Sequence, residues 1–269
     1  MINQKFKANR PKIIGSTDMK PYWQVIQNII EDSNIVLEIL DARMPELSRS
    51  EEIEQMAENS NKKLILILNK ADLVSENNLR KRLKMLKKQF PTFVISSTHK
   101  LGTKRLREYL IAQSKNSRGF RIGVLGYPNT GKSSVINAIT MKRKAKVTSR
   151  AGTTHGQQWI NANNNLQIID SPGVIPLKEY DEVRYALIGS RNIDKIKDLE
   201  LVAHEIIKLF EDKNQIEKLY NIKITTKNPD EIIQQIGIKK GFLKKGGLID
   251  SGRTSIQIIR DWQSGKLRL

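Results

Sequence analysis

A chain of 269 residues, 38% hydrophobic and 28% charged, is long enough for one sizeable globular domain and a smaller one. Its longest unbroken apolar run, residues 64–68, is far too short to cross a membrane, and the basic residues 1–12 have no apolar stretch behind them to read as a signal peptide. The lack of cysteine excludes disulfides, thiolate zinc sites and a thiol nucleophile, so the expectation is a cytoplasmic protein, monomeric and without a membrane partner.

The formal charge of +19 calls for a polyanionic partner, and among such partners nucleic acid comes first. The charge is uneven. Residues 100–150 carry thirteen Lys or Arg against one acid, whereas residues 151–190 carry two against four. Lysines spread only for solubility would not need so large a net charge.

Residues 1–20 read as a basic arm. Helical spacing of Trp23, Ile26, Ile29 and Ile30 predicts a helix over 21–31, and 35–40 follows as a buried strand. Residues 51–58 are expected as helix, 64–68 as strand, 78–90 as a basic helix and 93–95 as a short strand. A helix over 103–113 leads through the polar run SKNSRG to a strand at 121–125 and a helix at 132–139. Two further strands, 159–160 and 166–169, flank the turn-rich NANNN. Strands alternating with helices predict an α/β fold with a parallel sheet covered on both faces. After about residue 183 only helical patterns remain (199–210, 215–219, 229–236 and 255–263). The chain is therefore divided into an arm (1–20), an α/β domain (21–184) and a small helical domain (185–269).

The run GYPNTGKS at 126–133 fits G-x-x-x-x-G-K-[ST] and lies between an expected strand and an expected helix. Its glycines let backbone N–H groups and the helix N-terminus face phosphate, with Asn129, Thr130, Gly131, Lys132, Ser133 and Ser134 lining the bound group. Lys132 would reach the β- and γ-phosphates and Ser133 would ligate Mg²⁺. A phosphate loop does not choose the base, but NKAD at 69–72 would. The Asp72 carboxylate can accept both guanine N1–H and the 2-amino group, Asn69 could approach the other edge, and the Lys70 stem could cover the base face. Ser97 and Thr98, in the small-residue run that ends the next strand, would support the base. DSPG at 170–173 puts an Mg²⁺ aspartate, Asp170, and a γ-phosphate sensor, Gly173, after another strand. Thr154, in the run AGTT, could close on Mg²⁺. The bound molecule is thus expected to be GTP or GDP, although the base reader precedes the phosphate loop by 57 residues.

With these motifs the sequence resembles the circularly permuted GTPases of the YlqF/RbgA type. The resemblance rests on DARMP at 41–45, NKAD at 69–72, the phosphate loop, GTT at 152–154 and DSPG at 170–173. QQW at 157–159, KGGLI at 245–249 and IIRD at 258–261 match as well. It implies a Ras-like sheet in rotated chain order, a C-terminal helical RNA-binding domain and a role in maturing the large ribosomal subunit on its rRNA. Asn129 matches the position that binds K⁺ in K⁺-activated relatives. Val174 stands where Ras-like proteins carry a water-orienting glutamine. The sequence departs from the family at Asp18, where the family carries a His before a Met, and at Ala151, where a Pro is usual before Gly152. The catalytic set is therefore read as Lys132, Thr154, Gly173 and, as a substitute for that His, Asp18. The segment after DSPG runs into the helical domain, so γ-phosphate contacts at Gly173 and Thr154 are expected to reorient it.

Three readings remain open from the sequence. The first is a slow GTPase acting in assembly of the large subunit. The second is an RNA-binding protein that uses GTP as a sensing ligand, and the third is a P-loop ATPase or kinase. His155 beside Thr154 could approach substrate, His99 is expected near the base loop, and His204 in the helical domain; no zinc site is expected from them.

Overall fold

The computed structural model describes residues 20–115, 117, 119–141, 158–161, 166–170 and 181–269. Helix α1, Lys20–Asp32, turns Ile26, Ile29 and Ile30 to the core and leads into β1, Ile35–Asp41. A single turn, α2 at Pro45–Ser48, starts on a proline whose missing N–H costs nothing at that position. Helix α3, Glu51–Asn59, is capped by Ser50, which accepts from Ile53 N, and has three acids in its first turn. Strand β2, Lys63–Asn69, a 3₁₀ turn at Ala71–Leu73, α4 at Glu76–Leu86 and β3 at Thr92–Val94 follow. Then come α5 (Thr103–Ser114), β4 (Phe120–Leu125), α6 (Lys132–Thr140), β5 (Gln158–Asn161) and β6 (Leu166–Asp170). The basic helix expected to reach residue 90 stops at Leu86, and the other expected strands and helices lie within a few residues of their assigned places.

The sheet runs β3-β2-β1-β4-β6-β5, parallel except where β5 turns back against β6. Alternation sorts the apolar residues by face. Val36, Leu40, Leu64, Leu66 and Leu68 join one cluster with α1 and α3, while Ile35, Leu37, Ile39, Ile65 and Ile67 join another with α5 and α6. Both faces are covered, so β1 and β2 can be nearly continuous runs of Leu and Ile. Reading from β4 through β5 and β6 and then β1 to β3 restores the order phosphate loop, DSPG, base reader.

The remaining helices are α7 (Glu182–Leu187), α8 (Leu199–Lys208), α9 (Asn214–Tyr220), α10 (Pro229–Lys240) and α11 (Ser251–Gln263), with a 3₁₀ turn at Ile193–Lys195. Asp198, Asn228 and Asp250 cap α8, α10 and α11 through side-chain oxygens that accept backbone N–H groups. Val202, Ile206, Ile232, Ile236, Ile258, Ile259 and Trp262 form the centre of this bundle, and the same apolar cluster continues onto the α1–α3 face of the sheet. Helix α7 spans residues 184 and 185, where the end of the strand patterns sets the expected domain boundary.

One residue breaks the apolar run of β1. Glu38 lies fully buried in β1 and accepts a bond from Ser50 N at 2.7 Å through Oε1, while its Oε2 has no hydrogen-bond partner among the described residues. Burial, reinforced by Glu54, pushes its pKa up from 4.5 to about 8, against the Ser50 N–H and Arg49. A carboxyl whose folded pKa is raised binds more protons folded than unfolded, so its contribution is complete below the unfolded pKa and lost as pH rises toward the folded one. Between pH 5 and 7 the wild-type protein should lose up to about 1.4 kcal/mol of stability per pH unit relative to Glu38→Gln. Urea melts of both proteins at several pH values measure this; parallel curves would refute it.

Candidate functional site

In parallel sheets ligands collect at the carboxyl ends of the strands, and the register brings the motifs to that edge. Asp41 of β1 pairs with Asn69 of β2, so DARMP and NKAD leave adjacent strands side by side. On the other flank Glu38 pairs with Leu125, the last residue before the phosphate loop, and Val124 pairs with Asp170 of β6. Residues 69–72, the phosphate loop and Asp170, expected to read the base, bind phosphate and hold Mg²⁺, thus meet at one end of the sheet despite their separation in sequence.

The phosphate loop is drawn tight by its own polar groups. Thr130 Oγ1 donates to Tyr127 O at 2.9 Å, and Lys132 Nζ donates to Gly126 O at 2.7 Å and Tyr127 O at 2.8 Å. Lys132 is buried, and Ser133 and Ser134 are half-buried in the first turn of α6. Gly131 has φ 98°, and a Cβ there would stand 2.2 Å from Asn69 Nδ2, so only glycine lets the phosphate loop meet the base loop. The loop sets a helix N-terminus, a lysine and two hydroxyls side by side, and this donor set fits a nucleoside triphosphate with Mg²⁺. The Asn129 amide nitrogen donates to Gly189 O at 2.5 Å, and Ser190 Oγ donates to Pro128 O at 2.8 Å. The loop is therefore held from the α7 side as well.

In the base loop Asn69 is buried and uses both ends of its amide on protein. Nδ2 donates to Thr130 O at 2.9 Å, and Oδ1 accepts from Ser97 N at 3.1 Å. One side chain thereby ties the base reader to the phosphate loop and to the supporting turn. Asp72 is partly exposed; its Oδ1 accepts from Ser96 Oγ at 2.5 Å, and His99 Nε2 lies 3.6 Å from Oδ2. Ser97 and Thr98 belong to the turn of residues 97–100, which the Ser96–Leu101 bridge closes. Lys70 takes a left-handed backbone, φ 62°, and its Nζ is 2.8 Å from Asp41 Oδ2. Burial lowers the Lys70 pKa, opposed by the Asp41 charge.

Asp18, Thr154 and Gly173 lie outside the described residues, and Asp170 is described in its backbone only. His204 sits in the helical bundle with Nε2 2.7 Å from Asp230 Oδ1. No cluster of three His, Cys, Asp or Glu suited to a metal occurs among the described residues, and none of their helices is long and apolar enough to cross a membrane.

Ser96, in the same small-residue run as the pair assigned to base support, orients the Asp72 carboxylate. The roles of Tyr127 and Arg184 escaped sequence reasoning. Tyr127 packs on Tyr185 of α7 with ring centroids 5.8 Å apart. Arg184 sits 5.4 Å over the Tyr127 ring and donates to Leu47 O and Arg49 O. DARMP drew notice only through the family resemblance; Asp41 and Arg43 pair at 2.8 Å within it.

Comparison with known proteins agrees with this geometry. A family model described as RsgA GTPase matches residues 13–179, and one described as 50S ribosome-binding GTPase matches residues 121–238. An uncharacterized GTP-binding protein of Methanocaldococcus jannaschii is 38% identical over 92% of this chain and 66% of its own length. Nucleolar GTP-binding protein 2 of Pneumocystis carinii is 32% identical over 99% of this chain and 56% of its own. The chain thus spans about half to two thirds of the length of the curated relatives it matches. Among solved structures, GNP-bound YlqF from T. maritima superposes with a TM-score of 0.64 at 26% identity, covering 91% of this chain and 94% of that one. The GDP-bound form superposes with a TM-score of 0.65, also at 26% identity, over 90% and 95%. With the RsgA GTPase model matching more than half of its residues on a sheet of rotated strand order, the chain belongs to the circularly permuted GTPases.

Proposed function

We propose that this protein binds GTP, hydrolyses it slowly, and acts on the large ribosomal subunit as an assembly factor. The observation that carries the nucleotide reading is the junction at Asn69. One buried amide joins the phosphate loop, the base loop and the supporting turn, and leaves Asp72 at the rim where guanine would offer its two donors. Asn69 acts as a brace, Asp72 as the reader and Lys70 as the cover. Ser97 and Thr98 support the base. Lys132 exchanges its loop carbonyls for the β- and γ-phosphates. Ser133 and Asp170, with Thr154, would hold Mg²⁺, which would neutralise phosphate charge as hydrolysis proceeds. Gly173 would sense the γ-phosphate. Asn129, whose amide nitrogen Gly189 already holds, would offer its oxygen to K⁺. Asp18 is the group proposed to orient the attacking water.

The ribosomal reading draws on charge and on names. The net charge of +19 suits rRNA, and one matching family is described as a 50S ribosome-binding GTPase. The segment between α10 and α11 adds an exposed surface of mixed character. Leu243 and Leu248 stand out at 52% and 71% exposure beside Lys244 and Lys245, and Arg253 lies 4.4 Å over the Phe242 ring. The lysines and arginine of this surface suit the phosphates of folded RNA. The test is GTP turnover by the full chain in KCl and in NaCl, with and without purified large subunits. Faster turnover with subunits, and faster in KCl, is expected. Tight GTP binding without turnover in any of the four conditions would replace hydrolysis by sensing.

A further inference from the structure

The Asp41 carboxylate is closed to solvent at the end of β1 and is shared by two cations. Arg43 Nε donates to Oδ1 at 3.0 Å and Nη2 to Oδ2 at 2.8 Å, while Lys70 Nζ donates to Oδ2 at 2.8 Å. Arg43 N donates to Oδ1 as well, at 3.0 Å. Burial by itself would raise the Asp41 pKa, but Arg43 and Lys70 together hold it well below the usual carboxylate range. Asp41 therefore stays an anion, and its charge fixes where the Lys70 side chain runs. Without that anchor the long flexible stem of Lys70 would have no defined path across the base face.

The guanidinium that completes the cluster faces the helical bundle. Arg43 Nη1 donates to Trp262 O at 2.5 Å, and the guanidinium carbon lies 4.2 Å from the centre of the Trp262 ring. Trp262 is fully buried on α11, with Nε1 donating to Leu187 O at 2.7 Å and its ring edge-on to Phe210. The chain beyond α11 returns to the base loop. Leu269 N donates to Leu73 O at 2.9 Å, Leu269 O accepts from Ser75 N, and Gly265 lies against Leu73. From the other side Arg82 of α4 donates to Ala42 O at 2.5 Å and to Arg43 O.

We propose that Asp41 and Arg43 are positioning residues for guanine, and that Trp262 of α11 is the third member of the same array. Docking of α11 and affinity for guanine nucleotide are then one linked equilibrium. Nucleotide tightens α11 against the base loop, and drawing α11 away frees the Lys70 anchor and loosens the nucleotide by the same factor. This route runs through the base loop, separate from the γ-phosphate route at Thr154 and Gly173, so GDP engages it as well as GTP. The inference rests on the assignment of residues 69–72 to guanine.

The test is amide hydrogen exchange of the full chain with and without saturating GDP, together with the GDP dissociation rate. In the wild type GDP should slow exchange across residues 251–263. Arg43→Met should speed GDP release about 10-fold or more, within the usual range of coupling between sites, and should abolish the GDP-dependent protection of α11. Arg43→Lys keeps a cation for Asp41 but cannot also fork to Trp262. It should recover GDP affinity and GDP-dependent protection of α11 to the same partial extent, a proportionality that simple destabilisation of the fold would not produce. GDP that binds the wild type while leaving α11 exchange unchanged overturns the coupling, whether or not the Arg43 variants fold. GDP that does not bind at all overturns the guanine-site assignment instead.

Discussion

Asp72→Asn is expected to weaken GTP binding by roughly 10²- to 10³-fold and to turn preference toward xanthine nucleotides. The wild-type carboxylate sits at the rim of the site, oriented by the Ser96 hydroxyl 2.5 Å from Oδ1. It can accept from both guanine donors, and charge-assisted hydrogen bonds of this kind are worth about 1.5–3 kcal/mol each. An amide in its place sets a donor against the 2-amino group and leaves one of the two unpaired. Xanthine carries an oxygen at that position and removes the conflict. Titration calorimetry with GDP and xanthosine diphosphate measures both affinities. An unchanged GDP affinity would take residues 69–72 out of the base site, and with them the reading of the protein as guanine-specific.

Lys132→Ala is the second large expectation. The ammonium group lies on the carbonyls of Gly126 and Tyr127, buried at the mouth of α6, where an arriving phosphate meets a charge already in place. Its loss removes the only side-chain cation of the phosphate loop, and nucleotide affinity should fall by on the order of 10²-fold or more. Base preference should not move, because Asn69, Asp72 and Ser96 keep their own bonds. Equilibrium binding of a fluorescent GDP and of its xanthine counterpart to this variant gives the check. The two substitutions thereby separate phosphate binding from base choice: one lowers all nucleotides together, the other exchanges one base for another. A lysine variant that bound GDP normally would show that the loop backbone alone carries the phosphate.

The strands were legible because each is a short apolar run set off by polar turns. Residues 35–40 and 64–68 have no amphipathic alternation, which by itself called for a sheet covered on both sides, and the two apolar clusters lie on its two faces. The long helices of the C-terminal part were legible for a related reason, since Val202, Ile206, Ile232, Ile236, Ile258 and Ile259 repeat at helical spacing. Helix α7 was not. Six residues give less than two turns of periodicity, and its stability comes from Tyr185 against Tyr127 and from Arg184 bonded to the carbonyls of Leu47 and Arg49. The early end of α4 was hidden in the same way. Residues 87–90 carry the same basic helical composition as α4, but there the chain must turn to bring Thr92 into register beside Leu66.

The phosphate loop, the NKAD tetrapeptide, their inverted order and the basic charge were all legible in the order of residues, because each is a local pattern of residue type and spacing. The same patterns called for one sheet to hold both motifs. The partners that each side chain finds there follow from the packed fold. Asn69, expected at the edge of the base, is spent on Thr130 and Ser97. Asp41 and Arg43, which no spacing rule marks, join Lys70 to Trp262 across 192 residues of chain, the interval from 70 to 262. A parallel sheet brings strand ends together by register, and a buried charge must find its partners among whatever groups that register supplies.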